Sequence, residues 1–375
     1  MDALTTPSNW QKVRLGDILT LKHGRDYKNF KLGNIPVYGS GGYMLSINNF
    51  LHNGESVCIG RKGTIDKPIY LNGKFWVVDT LFYSYSFKKS IPKFIFYAFS
   101  IIKWSNYNEA TGVPSLTKMT ISNIEIPLPP LNEQIAIANI LSGLDRYLYS
   151  LRALILKKES VKKALSFELL SQRKRLKGFN QNWQRVRLGT YKYRRGSFPQ
   201  PYGNPQWYSD NGMPFVQVYD VGENFKLTQK TKQKISKIAQ PMSVFVPKNS
   251  VIITLQGTIG RVALTQYDCY CDRTILIFDN NTLNDVNKYF FVLSLFTKFE
   301  EEKRKADGSI IKTITKQTLK DFEILLPPLN EQIAIANILS DLDHEIISLK
   351  NKKRQFENIK KALNHDLMSA KIRVL

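Results

Sequence analysis

The sequence is poor in cysteine and histidine, and it has no long apolar run. Its three cysteines, Cys58, Cys269 and Cys271, are too few for a disulfide framework and predict a reducing compartment. The longest uncharged apolar runs, residues 94–102 and 289–297, fall far short of the roughly 18 residues that a membrane span needs. Residues 1–10 carry neither the basic nor the apolar segment of a secretory signal. These absences predict a cytoplasmic protein with no membrane partner.

Motifs of catalysis are missing as well. There is no glycine-rich loop ending in Gly-Lys-Ser or Gly-Lys-Thr, which would cradle the phosphates of a nucleotide. Both Pro-Pro pairs are flanked by leucine, so neither forms the Asn-Pro-Pro-aromatic loop that an adenine methyltransferase needs. Cys269 and Cys271 have no further cysteine or histidine nearby, which favours buried strand thiols over a metal site. The sequence therefore predicts no catalytic residues, no metal and no cofactor in this chain.

What the chain has in excess is positive charge. It carries 54 Lys and Arg against 31 Asp and Glu, a formal net charge of +23, with 43% hydrophobic residues. That apolar content is typical of a folded globular protein and excludes a disordered basic tail. Residues 1–127, 128–178, 179–325 and 326–375 are each basic on their own. A charge spread over the whole chain predicts a long contact with an extended polyanion.

An internal repeat organises the chain. The segment LPPLNEQIAIANILS occurs at 128–142 and again at 326–340, and related VRLG segments begin each half. The four parts read as a globular domain (1–127), a helix (128–178), a second globular domain (179–325) and a second helix (326–375). Short apolar runs bounded by turn residues in both domains predict strands, with one apolar helix in each, so the fold class is α+β.

Both repeated segments predict long helices. The Pro-Pro pair blocks a helix before it, and Asn132 and Asn330 are the predicted N-caps. Apolar residues then recur at alternating steps of three and four, as in a coiled coil, and three lysines that interrupt this stripe predict an adjustable register: Lys158, Lys162 and Lys360. We expect the helices to pair as an antiparallel coiled coil, with the two mixed α/β domains at its opposite ends and a pseudo-two-fold axis between the halves.

The doubled LPPLNEQIAIANILSxLD motif, each copy opening a long helix after a variable domain, resembles the specificity subunit of type I restriction–modification systems. The resemblance covers the whole chain. It implies a DNA-binding subunit without catalysis that reads a bipartite target, one half-site in each target-recognition domain, with the helices setting the spacer. It also implies two modification subunits that methylate adenine using S-adenosylmethionine, and two restriction subunits that use ATP and Mg²⁺. These cofactors are expected only on the partner subunits.

Cationic, amide and aromatic residues on loops and strand ends are the candidates for DNA contact, because arginine and glutamine suit base edges in the major groove. They are Lys22, His23, Arg25, Lys28, Tyr38, Ser40, Arg61 and Lys62 in the first domain, and Arg194, Arg195, Gln217, Tyr219, Gln256 and Arg273 in the second. For any one of them, a phosphate contact or a solvated surface charge is the alternative interpretation.

The identity of the two repeat copies has two explanations that stay open at this point. Two identical modification subunits require the same docking surface twice, and its polar part would be Asn132, Glu133, Gln134 and Asn139 with their copies Asn330, Glu331, Gln332 and Asn337. Recombination between the copies would also keep them alike. Two other classes of function, a catalytic nuclease or methyltransferase and an RNA-binding or scaffold protein, are the alternatives to DNA recognition.

Overall fold

A computed structural model describes residues 9–222, 224–257, 259–305 and 316–374, without the side chains of residues 305 and 316. The chain forms two compact units. The first contains the described residues up to Ile155 together with those from Ser348 onward, and the second contains Leu156–Ile347. Each unit therefore holds one globular domain and parts of both long helices.

The first unit is built from short strands, and its most buried strand, Ser56–Gly60, is buried at every position because a sheet or helix covers each face. Its elements are β1 Gln11–Arg14, α1 Leu15–Ile18, β2 Thr20–His23, β3 Leu32–Gly39, β4 Gly42–Ile47, β5 His52–Asn53, β6 Ser56–Gly60, β7 Ile69–Leu71, β8 Lys74–Val77, β9 Leu81–Tyr85, α2 Pro92–Ile101, α3 Lys118–Asn123, β10 Glu125–Leu128 and the start of α4 Leu131–Leu170.

The second unit repeats this plan in different sequence. Its elements after α4 are β11 Gln184–Arg187, β12 Tyr193–Arg195, β13 Tyr208–Val216, β14 Gln233–Ile235, β15 Val244–Val246, β16 Val251–Thr254, β17 Val262–Leu264, β18 Cys269–Cys271, β19 Ile275–Phe278, α5 Lys288–Lys305, α6 Lys316–Asp321, β20 Glu323–Leu326 and α7 Leu329–Met368. The apolar runs predicted as strands around residues 56, 76, 251 and 274 correspond to β6, β8, β16 and β19.

Both domains share one sheet topology. A two-stranded sheet joins the first and last strands of the domain, β1 with β10 and β11 with β20. An antiparallel sheet has the order β2-β9-β6-β7 in the first domain and β12-β19-β16-β17 in the second. A mixed sheet has the order β4-β3-β8-β5 or β14-β13-β18-β15, with β3 parallel to β8 and β13 parallel to β18. The predicted domain ends at 127 and 325 fall inside β10 and β20.

Each domain shares its core with the helices of its own unit. In the first unit, Phe94 and Tyr97 of α2 belong to the same buried cluster as Ile137 of α4 and Leu367 of α7. In the second unit, the aromatic residues of α5 join Leu169 of α4 and the start of α7. The apolar face of each long helix therefore packs on a globular domain as well as on the other helix.

The long helices begin one residue before the predicted caps. Helix α4 and helix α7 each span 40 residues and start at Leu131 and Leu329, so Asn132 and Asn330 lie inside the first turn and the N-cap prediction is wrong. The reason is that the prolines themselves end the extended segment. The Pro130 carbonyl already accepts the helical hydrogen bond of Gln134 at 3.0 Å.

The two helices pair antiparallel within each unit, which confirms the predicted coiled-coil fold. In the first unit, Tyr147 and Phe356 have ring centroids 4.7 Å apart, and Arg152 pairs with Glu357 at 2.8 Å. In the second unit, Lys158 pairs with Glu345 at 2.8 Å. Asp145 pairs with Lys360 before Tyr147 meets Phe356, and Lys158 pairs with Glu345 before Lys162 meets Asp343. The number of the partner thus falls as the residue number in α4 rises, as antiparallel pairing requires.

The lysines that interrupt the apolar stripe form ion pairs across the helix pair, and these pairs oppose the predicted adjustable register. Lys360 pairs with Asp145 in the first unit, and Lys162 pairs with Asp343 at 2.5 Å in the second. Each aspartate also accepts a hydrogen bond from a tyrosine of the adjacent domain, Tyr97 or Tyr289. A shift of one helix along the other would separate these partly buried opposite charges, so it would cost free energy.

Candidate nucleic-acid interface

In the first domain, four loops meet at one end of the two four-stranded sheets. The loop after β2 is joined to β8 by the Arg25 amide, 2.9 Å from the Val77 carbonyl. The turn after β3 is joined to the loop after β8 by the Ser40 amide, 3.3 Å from Thr80 Oγ1. The loop after β6 is joined to the same residue by the Arg61 amide, 2.8 Å from the Thr80 carbonyl. The topology thus gathers side chains that are far apart in sequence.

Close backbone packing fixes this loop cluster. A Cβ at Gly24 would lie 2.1 Å from the Val78 carbonyl oxygen, so only glycine permits this approach. Gly63 has φ +84°, and a Cβ there would lie 3.2 Å from Ser40 Oγ. The Arg61 guanidinium donates to the Asp79 carbonyl at 3.1 Å, whereas Lys62 is exposed. The loops are therefore held by backbone contacts, which leaves exposed side chains available for a ligand.

The remaining candidates of the first domain are placed differently. Lys22 extends over the Tyr85 ring, 4.5 Å from its centroid, at the end of β9 opposite to the loop cluster. The His23 ring packs on Phe82 with a centroid separation of 4.8 Å. Lys28 is exposed in the loop after β2, and Tyr38 lies beside Tyr43, 6.1 Å between ring centroids.

The second domain builds the same loop cluster with other side chains. The Leu255 amide lies 2.8 Å from the Thr274 carbonyl, which places Gln256 where the first domain has Lys62. The Tyr219 hydroxyl donates to Gln217 in the loop after β13, and the Arg273 guanidinium lies 5.4 Å from the Tyr202 ring centroid. The candidates that the fold brings together here are the half-buried Gln217 and the exposed Tyr219, Gln256 and Arg273.

The two arginines of β12 have different surroundings. Arg194 donates to the Phe245 carbonyl at 3.0 Å, so its guanidinium is directed at strand β15. Arg195 is exposed and precedes Gly196, whose amide bonds the Ile275 carbonyl at 2.9 Å in the position equivalent to Gly24. Arg195 therefore borders the loop cluster, whereas Arg194 is held on the sheet.

Two carboxylates that the sequence did not reveal organise these loops. Asp220 is buried and accepts hydrogen bonds from the backbone amides of Gln217 at 2.9 Å and Lys232 at 3.0 Å. Desolvation raises the pKa of Asp220, which its hydrogen bonds counteract. Asp272 is buried and accepts from the Tyr202 hydroxyl at 2.5 Å. Gln217 and Asp220 are three residues apart, which is the spacing of a capping box. This spacing could have identified Asp220 from the sequence.

No metal-binding cluster of three or more His, Cys, Asp or Glu residues occurs in the described part of the chain. The three cysteines are buried, and burial raises the pKa of Cys58 to about 12, so this thiol is protonated at neutral pH. Among the described helices, none combines the length and apolar composition needed to cross a bilayer.

The structure corrects four of the predicted partner-binding residues. Glu133 is buried, accepts from Trp10 Nε1 at 3.1 Å and pairs with Arg373 at 2.8 Å. Its copy Glu331 is also buried, accepts from Trp183 Nε1 at 3.1 Å and pairs with Arg175 at 2.8 Å. A carboxylate enclosed by its own chain is not available to a docking partner.

The adjacent glutamines are equally enclosed. Gln134 accepts from the Ile91 amide at 3.0 Å, just before α2, and donates to the Pro129 carbonyl at 2.8 Å. Gln332 accepts from the Asn287 amide at 2.9 Å, just before α5, in the same way. These contacts join each helix to the globular domain that precedes it. The requirement to hold two domains by the same contacts is therefore a third reason for the identity of the repeat copies.

The exposed face of each repeat copy is apolar with amide groups. Leu131 and Ile135 are 50% and 48% exposed, and their copies Leu329 and Ile333 are both 41% exposed. The asparagines predicted as partner-binding lie on this exposed surface in both copies: Asn132, Asn139, Asn330 and Asn337. We call this surface the repeat face. It is the part of the predicted docking surface that the structure leaves accessible.

The chain has two basic domains, each with one loop cluster on a shared framework, and two paired helices that begin with the same sequence. Together these features define a class of paired DNA-specificity modules. Residues 7–159 and 204–358 match the family described as type I restriction modification DNA specificity domain. The chain belongs to this family. The predictions of a specificity subunit and of a protein that is not an enzyme by itself are confirmed by this membership.

Individual relatives are similar to this chain over nearly its whole length. The type I restriction enzyme MjaVIII specificity subunit of Methanocaldococcus jannaschii is 25% identical, over 100% of this chain and 95% of the relative. The S subunit of a type I restriction–modification system from M. genitalium has the same fold, with a TM-score of 0.68 at 16% identity over 97% of both chains. A chain from a structural study of type I complex assembly gives a TM-score of 0.60 at 18% identity, covering 97% of this chain and 98% of that one.

Proposed function

We propose that the chain reads a bipartite DNA target, one half-site with each loop cluster, for a type I restriction–modification enzyme in the cytoplasm. The observation that supports this most is the repeated framework with unlike side chains at equivalent positions, Lys62 in one cluster and Gln256 in the other. Equivalent frameworks present the two clusters alike, and different side chains read different bases. The net charge of +23 supplies affinity for the phosphate backbone that does not depend on sequence.

The repeat face is the proposed docking site for two modification subunits. An identical exposed surface present twice is what two identical partners need. Its leucine and isoleucine side chains can be buried by a partner, while the four asparagines supply hydrogen bonds around them. S-adenosylmethionine would bind to the modification subunits, and ATP with Mg²⁺ to two restriction subunits. This chain would contribute target recognition and assembly.

Domain exchange tests the independent reading of half-sites. When residues 179–325 are replaced by the corresponding part of a relative, we expect one half of the methylated target to change and the other half to persist. The reason is that each loop cluster is built entirely within one domain. Methylation-sensitive sequencing of a host that expresses the complex reads both halves directly. A change in both halves at once would contradict independent recognition.

The helix pair is the proposed ruler for the spacer between half-sites, since both helices contribute residues to both units. Four residues inserted in α4 after Ser150, together with four in α7 after Lys352, add about one turn, or ~6 Å, to both helices. The paired insertion keeps Lys360 opposite Asp145 and Lys162 opposite Asp343. We expect the spacer to lengthen by about two base pairs, at ~3.4 Å each, with the half-sites unchanged.

An insertion in α4 alone is the control, because it shifts one set of ion pairs out of register. That variant should lose stability and methylation without gaining a longer spacer. A paired insertion that keeps the original spacer would show that the helix pair is not the ruler.

A further inference from the structure

The second domain carries a lysine-rich segment that its loop cluster does not include. Lys230, Lys232, Lys234 and Lys237 follow one another around β14, and all four are exposed. No ion pair between these lysines and a carboxylate occurs within the described ranges. Exposed ammonium groups without a carboxylate partner are the groups that bind phosphate without displacing an existing ion pair.

Two of these lysines are aligned on one side of the strand. Lys232 and Lys234 alternate with Gln233 and Ile235, and Ile235 is fully buried in the domain core, so both lysines lie on the opposite face. They line a groove of 330 Å³ together with Ser209, Thr231 and Asp210. Lys234 Nζ donates to the Asp210 carbonyl at 2.8 Å, and no salt bridge joins Lys234 to the Asp210 carboxylate within the described chain.

The groove adjoins the second loop cluster. Lys232 Nζ lies 5.0 Å from the ring centroid of Tyr219, which contacts Gln217. The Lys232 amide also bonds Asp220, the buried carboxylate that holds the loop carrying Tyr219. The Lys232 ammonium group thus lies beside a residue proposed to read bases, and Lys234 follows two residues later along the same face.

We propose that Lys232 and Lys234 bind consecutive backbone phosphates beside the second half-site. This inference rests on the proposed DNA-binding function. Residues on a strand that are two apart are separated by about 6.6 Å, close to the spacing of neighbouring phosphates along a DNA strand. Such contacts position the duplex against the loop cluster without adding sequence preference of their own.

The first domain has no corresponding lysines. Its equivalent edge strand, β4, presents Tyr43 and Met44 to solvent, 62% and 47% exposed. The two half-sites are therefore held differently, and the second contributes more of the salt-dependent affinity. An alternative role for lysines on an edge strand is to prevent pairing with the edge of another molecule. The experiment must separate this role from phosphate binding.

The test measures the binding of the full-length chain to a random-sequence duplex by fluorescence anisotropy at several salt concentrations. For the double variant Lys232→Gln, Lys234→Gln, we expect the slope of log K against log salt to become shallower by about 2, since each phosphate contact contributes ~0.9. The variant Lys232→Arg, Lys234→Arg should keep the original slope. The control Lys248→Gln, Lys320→Gln removes the same charge from exposed positions, one of which precedes β16 at the end opposite to Gln256.

The outcomes are distinguishable. A slope that is unchanged in the glutamine variant, or that changes equally in the control, overturns the phosphate-binding role. An unchanged slope accompanied by self-association of the glutamine variant assigns the lysines to edge protection. If the unmodified chain and its complex with the modification subunits bind no duplex at all, the proposed function itself fails.

Discussion

Replacing Glu133 by alanine is expected to lower the free energy of unfolding of the first unit by about 3 kcal/mol. The substitution removes a buried carboxylate that holds two groups from opposite parts of the sequence, Trp10 Nε1 and the Arg373 guanidinium. Both donors would lose their acceptor in a site that admits little water. The loss lies at the lower end of the usual range because the Arg373 side chain is 37% exposed and can regain some hydration.

The shift in the urea unfolding midpoint measures this effect. Glu331→Ala should act similarly on the second unit, where Trp183 and Arg175 lose their acceptor. Asn139→Ala, at an exposed position of the same helix, is the matched control and should change stability by less than about 0.5 kcal/mol. Stability equal to that of the unmodified chain in both glutamate variants would mean that these ion pairs are not structural.

Loss of both modification subunits is expected when Ile135 and Ile333 are each replaced by aspartate. The substitutions place charges at the centre of the two repeat faces, and each should weaken its own site by about 2 kcal/mol or more, roughly 30-fold. Ile135→Asp alone should leave one subunit bound, because the second copy of the surface is intact. The mass of the complex, determined by native mass spectrometry, distinguishes two, one and no bound subunits.

Ile359→Asp provides the matched control, since this α7 residue is 50% exposed but lies outside the repeat. It should retain both subunits. If the double variant still bound two subunits, the repeat face would not be the docking site. Domain attachment and recombination would then remain as the reasons for the identical motif.

The sequence predicted the helices and their pairing well because the relevant signal is periodic. A stripe of apolar residues at steps of three and four identifies the buried face of each helix, which here packs on the other helix and on a globular domain. The lysines in that stripe were less predictable, because pairing with an aspartate of the opposite helix depends on register. The pairing of Lys162 with Asp343, for example, can be predicted only after the alignment of the two helices is known.

The buried glutamates were mistaken for a docking surface because polarity and identity normally indicate exposure. The signal that they are internal was present in the repeat. Arg175 and Arg373 are separated by the same number of residues as Glu133 and Glu331, and each arginine contacts the glutamate of the other copy. For the loop clusters, the sequence predicted individual residues but not their proximity. Long-range strand pairing brings these residues together, and sequence periodicity does not encode that pairing.

One layer of the helix pair distinguishes its two halves. Tyr147 packs on Phe356 in the first unit, and at the corresponding position of the second unit Lys158 pairs with Glu345. A helix with the sequence of α4 paired with its own copy would set Tyr147 opposite Lys158, and a like pair of α7 helices would set Phe356 opposite Glu345. Both arrangements lose the ring contact and the ion pair together. The two halves are similar in sequence, but each helix complements its counterpart better than itself, so the halves are a matched pair and not interchangeable copies.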